Sequence, residues 1–185
     1  MENKTMMKLV VGTEAMFFVS LIMAFIYMAY NAGFEPHEVQ QLDIKTTGIF
    51  TVVLFCSSFT LMLAEKKYNS RKIKSLKFWL AATIVLGLIF LIGQGKEYIR
   101  LINDNITLSG SVFGTSFYAL TGFHGLHVFI GLIILSIVFV LAFLGDFNKP
   151  SSNVISTVAI YWHFVDIVWI FVFTVVYVLP HFTKI

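Results

Sequence analysis

Long apolar runs separated by short polar links dominate the chain. A helix needs about 20 mostly apolar residues to cross a bilayer, and five stretches meet that requirement. They are residues 8–30, 44–64, 78–98, 112–143 and 153–179. The fourth would be about 48 Å long at 1.5 Å per residue, so we expect it to tilt or to project beyond the membrane. The pattern predicts an all-α bundle of five transmembrane helices in a single membrane domain, residues 1–185.

Composition strengthens this prediction. Apolar residues make up 58% of the chain and charged residues 12%, with a mean hydropathy of +0.85, whereas soluble domains carry roughly 25% charged residues. We therefore expect an integral membrane protein with no nucleic-acid partner. The single cysteine, Cys56, excludes an internal disulfide and a cysteine-built metal site. The first apolar run is long and lacks a cleavage site, which indicates a retained helix rather than a signal peptide.

The two longest links differ in charge, and this difference predicts the topology. Residues 65–77 carry six basic side chains, whereas residues 31–43 carry no Lys or Arg. Because basic links stay in the cytoplasm, we expect a cytoplasmic N-terminus and, after five crossings, an external C-terminus. Lys149 then lies on the cytoplasmic side. A patch that binds anionic lipids is a second interpretation of the basic link.

Ionisable side chains inside the spans are the candidate functional groups. A charged residue at the bilayer centre costs at least ~2.5 kcal/mol on insertion scales, so each needs a partner or a role. Two pairs with i, i+3 spacing share a helix face, and both come out near the middle of the bilayer. We expect the two pairs to face each other on adjacent antiparallel helices. The pairs are His124 with His127 and His163 with Asp166.

Three interpretations of these pairs remain open. Imidazole and carboxylate groups are ligands of haem or metal. Alternatively, they form hydrogen bonds between helices that approach closely at Gly122, Gly125 and Gly131. A third interpretation is that they carry protons or bind lipid headgroups. Haem ligands normally come from opposite sides of the ring, and a zinc or di-iron site needs more carboxylates. We therefore expect no metal in this chain.

Glu14 is the fifth ionisable group, and its own helix offers it no partner. Apolar side chains flank it, and Lys8 is nearly two turns away. Because desolvation disfavours the charged form of an acid, we expect Glu14 to be buried and largely protonated. It would either donate a hydrogen bond across a helix interface or exchange protons.

Four stretches resemble one known family. They are FYALTGFHGLHVFIG (117–131), YWHFVDIVWIFVF (161–173), TEAMFF (13–18) and QGKEY (94–98). The first two look like the signature stretches of subunit III of haem-copper terminal oxidases, the cytochrome c oxidase family. TEAMFF resembles that family's buried glutamate and the apolar pair that follows it. The resemblance covers essentially the whole chain in one order.

The resemblance implies an accessory, non-redox subunit in a bacterial cytoplasmic membrane. Haem and copper are then expected in subunits I and II, with subunit I as the main contact, and this chain stabilises subunit I and supports proton uptake. No catalytic residue and no bound metal are expected. By resemblance, Glu14 is the buried functional acid, and Gln94 and Glu97 form the motif at the outer helix end. The interhelical polar cluster, or set of lipid contacts, comprises His124, His127, Trp162, His163 and Asp166.

Other functions stay open beside this one. The chain could be subunit III of a quinol oxidase or a relative associated with nitric oxide reductases, and a proton-coupled transporter is a candidate of a different class. Long family members have seven helices, with phospholipid in a cleft between the first two and the other five. This chain resembles only the last five. A bound phospholipid of that kind would therefore need a wall from another subunit.

Overall fold

The computed structural model describes residues 2–31, 33–34, 36–145 and 153–180. Every regular element within these ranges is helical, and five helices are long and apolar enough to cross a membrane. Lys149 and the last five residues lie outside the described ranges. The elements are α1 (Glu2–Asn31), α2 (Pro36–Gln40), α3 (Ile44–Asn69), α4 (Ile73–Asn103), α5 (Val112–Leu144) and α6 (Val154–Phe173), which continues as a π-helical segment, Thr174–Val178.

The helices extend beyond the predicted apolar runs. The basic link predicted at residues 65–77 is mostly helix, and only residues 70–72 separate α3 from α4. Lys, Arg and Glu are good helix formers, so the helix continues after its apolar run has ended. The turn is made by Arg71, whose φ is 55°. On the opposite side of the bundle, Asp43 caps α3 by accepting a hydrogen bond from the Thr46 N–H at 3.0 Å.

The last spanning helix lies at the centre of the bundle and the first at its edge. Helix α3 packs along α4, α4 along α5 and α5 along α6, while α6 also contacts α1 and α3. In its most apolar 18-residue window, α6 is 56% buried, compared with 11% for α1. Helix α1 therefore presents most of its surface to lipid or to another subunit.

Trp162 joins four helices at this centre. A Cβ on Gly87 of α4 or on Gly131 of α5 would come within 2.9 Å of the indole ring, so only glycine lets these two helices approach α6 so closely. The indole N–H donates to the Ser57 hydroxyl of α3 at 3.0 Å. One fully buried side chain thus connects α3, α4, α5 and α6.

Candidate functional site

Glu14 of α1 contacts His127 of α5. The Glu14 Oε2 atom lies 3.0 Å from His127 Nε2, and the other ring nitrogen, Nδ1, lies 2.7 Å from the carbonyl oxygen of Phe123. The rings of Phe17 and Phe18 pack on the imidazole. The partner that Glu14 lacks on its own helix therefore comes from the neighbouring one.

The two hydrogen bonds of His127 define where its protons are. A carbonyl oxygen can only accept, so Nδ1 must carry a hydrogen and donate it to Phe123. The contact with Glu14 then holds one further proton, which belongs either to a neutral carboxyl that donates to Nε2 or to an imidazolium that donates to a carboxylate. Glu14 and His127 share this proton.

Glu14 is half-buried within the chain rather than buried, which corrects the expectation from sequence. Its side chain is 34% exposed, against 11% for His127. The reason is the position of α1, which packs only on one side and leaves Glu14 at the edge of its contact with α5. The exposed part of the carboxyl lies on the outer surface of α1, where lipid or another protein would contact it.

His163 and Asp166 contact α3, where Ser58 joins them. The Ser58 hydroxyl donates to Asp166 Oδ2 and lies 2.8 Å from His163 Nδ1. A hydroxyl has a single hydrogen, so the oxygen that donates to Asp166 must accept from the imidazole. Nothing in the sequence singled out Ser58, because a serine in an apolar run resembles any other small residue.

His124 makes no hydrogen bond with the described residues, although it is fully buried. Its ring stacks on Trp169 with centroids 4.7 Å apart and planes at 28°, and Phe18 and Phe90 meet it edge-on. In this structure His124 is therefore an aromatic packing group.

The two predicted pairs do not form one cluster, which is a second correction. Within the described ranges, His127 hydrogen-bonds towards α1, His163 and Asp166 towards α3, and His124 to neither. Helix α6 lies between α5 and α3, so one face of it packs on α5 while the opposite face carries its polar pair. The face on α5 carries Tyr161 and Trp162, and the Tyr161 hydroxyl donates to the His127 carbonyl at 3.2 Å.

Glu97 forms a separate cluster near the end of α4. Its Oε2 atom accepts from the Thr47 hydroxyl at 3.1 Å and the Tyr177 hydroxyl at 2.8 Å, and its Oε1 atom lies 3.6 Å from Arg100 Nη2. Arg100 also pairs with Asp43 at 3.5 Å and donates to the Gln41 carbonyl at 2.9 Å. This cluster connects α3, α4, the π-helical segment and the loop before α3.

Asp43 lies at the surface of that cluster, just before α3 begins. The Thr46 hydroxyl donates to it at 2.6 Å, and the Thr46 backbone N–H does so at 3.0 Å. These bonds, with a smaller contribution from Arg100, hold the pKa of Asp43 below its ordinary value of 3.8. The cap is therefore a charged carboxylate above that pH.

Gln94 connects α4 to α5 one turn below Glu97. Its amide N–H₂ donates to the Thr121 carbonyl at 2.8 Å and to the Tyr98 hydroxyl at 3.2 Å, and that hydroxyl lies 2.8 Å from Thr121 Oγ1. The two residues predicted as a helix-end motif, Gln94 and Glu97, thus bind different neighbours of α4. The sequence did not indicate Tyr177, Thr47 or Arg100 as their partners.

Ligand geometry for a metal is not found in the described part of the chain. There, no three His, Cys, Asp or Glu side chains converge in a way that could hold an ion. His127 uses both ring nitrogens and His163 uses Nδ1 in the hydrogen bonds given above. These histidines are therefore already engaged by the protein.

Comparisons with a family model and with individual proteins all identify the same family. The family model for cytochrome c oxidase subunit III matches residues 3–180. The chain is 36% identical over 167 residues to a probable cytochrome c oxidase subunit 3 of Nocardia farcinica, covering 90% of this chain and 82% of that protein. The cytochrome c oxidase subunit 3 of Thermostichus vulcanus is 33% identical over 171 residues, covering 92% and 84%. That of Synechocystis is 34% identical over 168 residues, covering 90% and 71%.

Proposed function

Since the chain belongs to the cytochrome c oxidase subunit III family, we propose that it is an accessory, non-redox subunit of a respiratory haem-copper terminal oxidase. Membership implies a multi-pass membrane protein in a complex with other oxidase subunits. The finer proposal is that the chain stabilises subunit I during turnover and supports its proton uptake. Oxygen reduction and proton pumping then occur on the partner subunits.

The observation that carries this proposal is the exposed surface of α1 beside the Glu14–His127 pair. Helix α1 is the least enclosed spanning helix, and Glu14 lies with a third of its side chain open at its edge. A polar group half-open in the membrane needs a partner there. We propose that subunit I covers this surface, with subunit II elsewhere in the complex and lipid on the remaining faces.

The shared proton suggests how the chain would support proton uptake. Between Glu14 and His127 one proton can sit on either side of a 3.0 Å hydrogen bond. While the pair holds this proton it carries no net charge, whichever of the two groups the proton is on, and release of the proton leaves a carboxylate that a partner outside this chain would have to stabilise. We propose that Glu14 is the functional acid of the subunit and that it acts at the interface with subunit I, without taking part in the oxygen chemistry.

The remaining polar side chains have a structural role in this proposal. His127, His163, Asp166 and Trp162 are held in hydrogen bonds between helices, and His124 is packed between aromatic rings. These contacts do not leave a ready ligand set for the haem or copper of the enzyme. We place both cofactors in the partner subunits and assign this chain no catalytic residue. Bound phospholipid remains part of the proposal.

We also propose the orientation: N-terminus in the cytoplasm and C-terminus outside, in a bacterial cytoplasmic membrane, with residues 1–185 as one membrane domain. The basic turn between α3 and α4 supports it. A topology reporter fused after Arg71 should be cytoplasmic, and one fused after Glu38 should be external. An external Arg71 would refute this orientation.

The decisive experiment removes this chain from its complex. An oxidase assembled without it should keep its haem spectrum and its initial rate of oxygen reduction, while losing activity faster during turnover and pumping fewer protons. Loss of haem in stoichiometric amounts would contradict the non-redox role. The large subunit that co-purifies with the chain, and its electron donor, would separate a cytochrome c oxidase from a quinol oxidase or a nitric oxide reductase. Purification of the chain alone as an active unit would favour a transporter.

A further inference from the structure

A cavity of about 340 Å³ lies between α3, α4 and α6, beside Glu97. Its polar lining includes Asp43, Thr47, Gln94, Lys96, Glu97 and Arg100. The cavity is separate from the Glu14–His127 pair, which lies on the α1 side of the bundle.

The cavity changes from polar to apolar along its depth. Arg100 and Asp43, near the end of α4 and the start of α3, form its polar end, while Phe50, Phe90 and Trp169 form its deeper wall. From Arg100 to Phe90 is ten residues of helix, or about 15 Å. The polar end carries charges of both signs, which a hydrocarbon chain would not solvate.

Three polar atoms of the lining residues have no hydrogen bond with the described residues. They are Gln94 Oε1, Glu97 Oε1 and Arg100 Nε, and all three are buried. Two are acceptors and one is a donor. A buried polar group without a partner is costly, and water is the smallest ligand that both donates and accepts. The cavity has room for several molecules, since one water occupies about 30 Å³.

We propose that this cavity is an aqueous pocket, in which bound water completes the hydrogen bonding of Gln94, Glu97 and Arg100. It opens at the end of the bundle where α4 ends, which is the outer face in the orientation proposed above. Glu97 would then be in contact with the aqueous phase on that side, although its helix spans the membrane. The charged and titratable groups around Glu97 are Asp43 from the start of α3, Lys96 and Arg100 from α4, and Tyr177 from the π-helical segment.

The unmodified complex contains a matched pair of reporters. Trp169 and Trp162 both lie on α6, are 1% and 0% exposed, and donate their indole N–H to a hydroxyl of α3. Only Trp169 lines the cavity. Hydroxyl radicals generated from bound water by X-ray radiolysis oxidise the nearest aromatic rings. Trp169 in the intact oxidase should be oxidised several times faster than Trp162. Equal, slow oxidation of the two rings would overturn the proposal.

A second experiment tests access from one side with cysteine variants in a Cys56→Ser background. Phe50→Cys and Gln94→Cys point towards the cavity, whereas Ile49→Cys and Ile92→Cys lie at the same depths on exposed apolar positions. A thiol must ionise to react and does so poorly in apolar surroundings, so a charged, membrane-impermeant methanethiosulfonate should label the first two about tenfold faster.

Labelling in vesicles of known orientation tests the aqueous pocket and the membrane orientation separately. Labelling of Phe50→Cys and Gln94→Cys only from the cytoplasmic side would keep the pocket and refute the proposed orientation. Slow labelling of all four cysteines from both sides, in assembled oxidase, would mean that lipid or protein fills the cavity and would refute the aqueous pocket.

Discussion

Glu14 and Glu97 are both acids on membrane-spanning helices, but the bundle treats them differently. Glu14 has one partner, His127, and a third of its side chain is open. Glu97 accepts from two hydroxyls, lies beside Arg100, and its side chain is 9% exposed. Glu14 lies on the outermost helix, whereas Glu97 joins three elements of the core.

The comparison shows that the number and type of donors decide what a membrane acid does. Two hydroxyl donors and a guanidinium, from α3, the π-helical segment and α4, converge on Glu97, so Glu97 holds helices together. A single imidazole, whose other nitrogen is committed to a carbonyl, leaves one proton to be shared. We therefore propose that Glu14 exchanges a proton at an interface, and we expect its removal to cost less stability.

The largest effect is expected for Glu97→Ala. This change leaves the hydroxyls of Thr47 and Tyr177 without their acceptor and Arg100 without one of its two carboxylates. Loss of one partner from a partly buried charged cluster costs about 3 kcal/mol. The apparent melting temperature of the purified complex should fall markedly. Glu97→Gln keeps an acceptor for the hydroxyls, so its melting temperature should lie between those of wild type and Glu97→Ala. An unchanged melting temperature for both variants would contradict the structural role of Glu97.

The next largest difference concerns chemical labelling. A hydrophobic carbodiimide enters lipid and must reach the carboxyl to react, so it should modify Glu14, whose side chain is 34% exposed, faster than Glu97, whose side chain is 9% exposed. Glu38 of α2 lies outside the spanning helices and should also react more slowly than Glu14. Glu14→Gln should abolish the labelling, as peptide mapping would show. Preferential modification of Glu97 would contradict the proposal that Glu14 is the more accessible of the two acids.

A smaller change in stability is expected for His127→Ala or Asp166→Asn. Each removes hydrogen bonds between two helices, and such bonds contribute about 0.6–2 kcal/mol in membrane proteins. Detergent stability should decrease, whereas the haem spectrum of the assembled oxidase should stay the same. Ser58→Ala is the matched test on α3 and should resemble Asp166→Asn. Stoichiometric loss of haem from either histidine or aspartate variant would contradict their structural role.

The smallest effect is expected for Asp43→Ala, which removes the helix cap at the surface of the Glu97 cluster. Loss of a capping side chain costs about 1 kcal/mol. Because the folded-state pKa of Asp43 is lowered from 3.8, its contribution is complete above that pH and is lost as the pH falls through the lowered value. Thermal unfolding of wild type and variant should therefore differ at neutral pH and converge in acid. Divergence on acidification would contradict this linkage.

The five spans could be predicted because lipid imposes a strong constraint. Each apolar run of about 20 residues had to be a helix, and α1, α3, α4, α5 and α6 are those helices. The resemblance to oxidase subunit III, based on residues 117–131 and 161–173, was also confirmed. The C-terminal end of α3 and both ends of α4 were missed, because polar helix formers extend a helix without leaving an apolar signal.

The partners within the site could not be predicted, because they depend on which helices are neighbours. His124 and His127 share a face only approximately: three residues of α-helix leave them about 60° apart. That angle places one ring against Trp169 and the other against Glu14. Ser58 and Thr47 gave no signal at all, since a hydroxyl in an apolar run becomes informative only when its neighbour across the interface is known.

The π-helical segment has a consequence for how this chain can change in length. Residues 174–178 form i→i+5 hydrogen bonds, which accommodate one more residue than an α-helical turn. Deleting a single residue there would restore regular α-helix and leave the residues on either side nearly in place, because the deletion removes the residue that the wider turn accommodates. The same deletion in the middle of α6 would rotate every later position by about 100° and turn Tyr177 away from Glu97. A one-residue deletion within the π-helical segment should therefore be less harmful than one in the middle of α6, and homologues without the segment should be one residue shorter at this point.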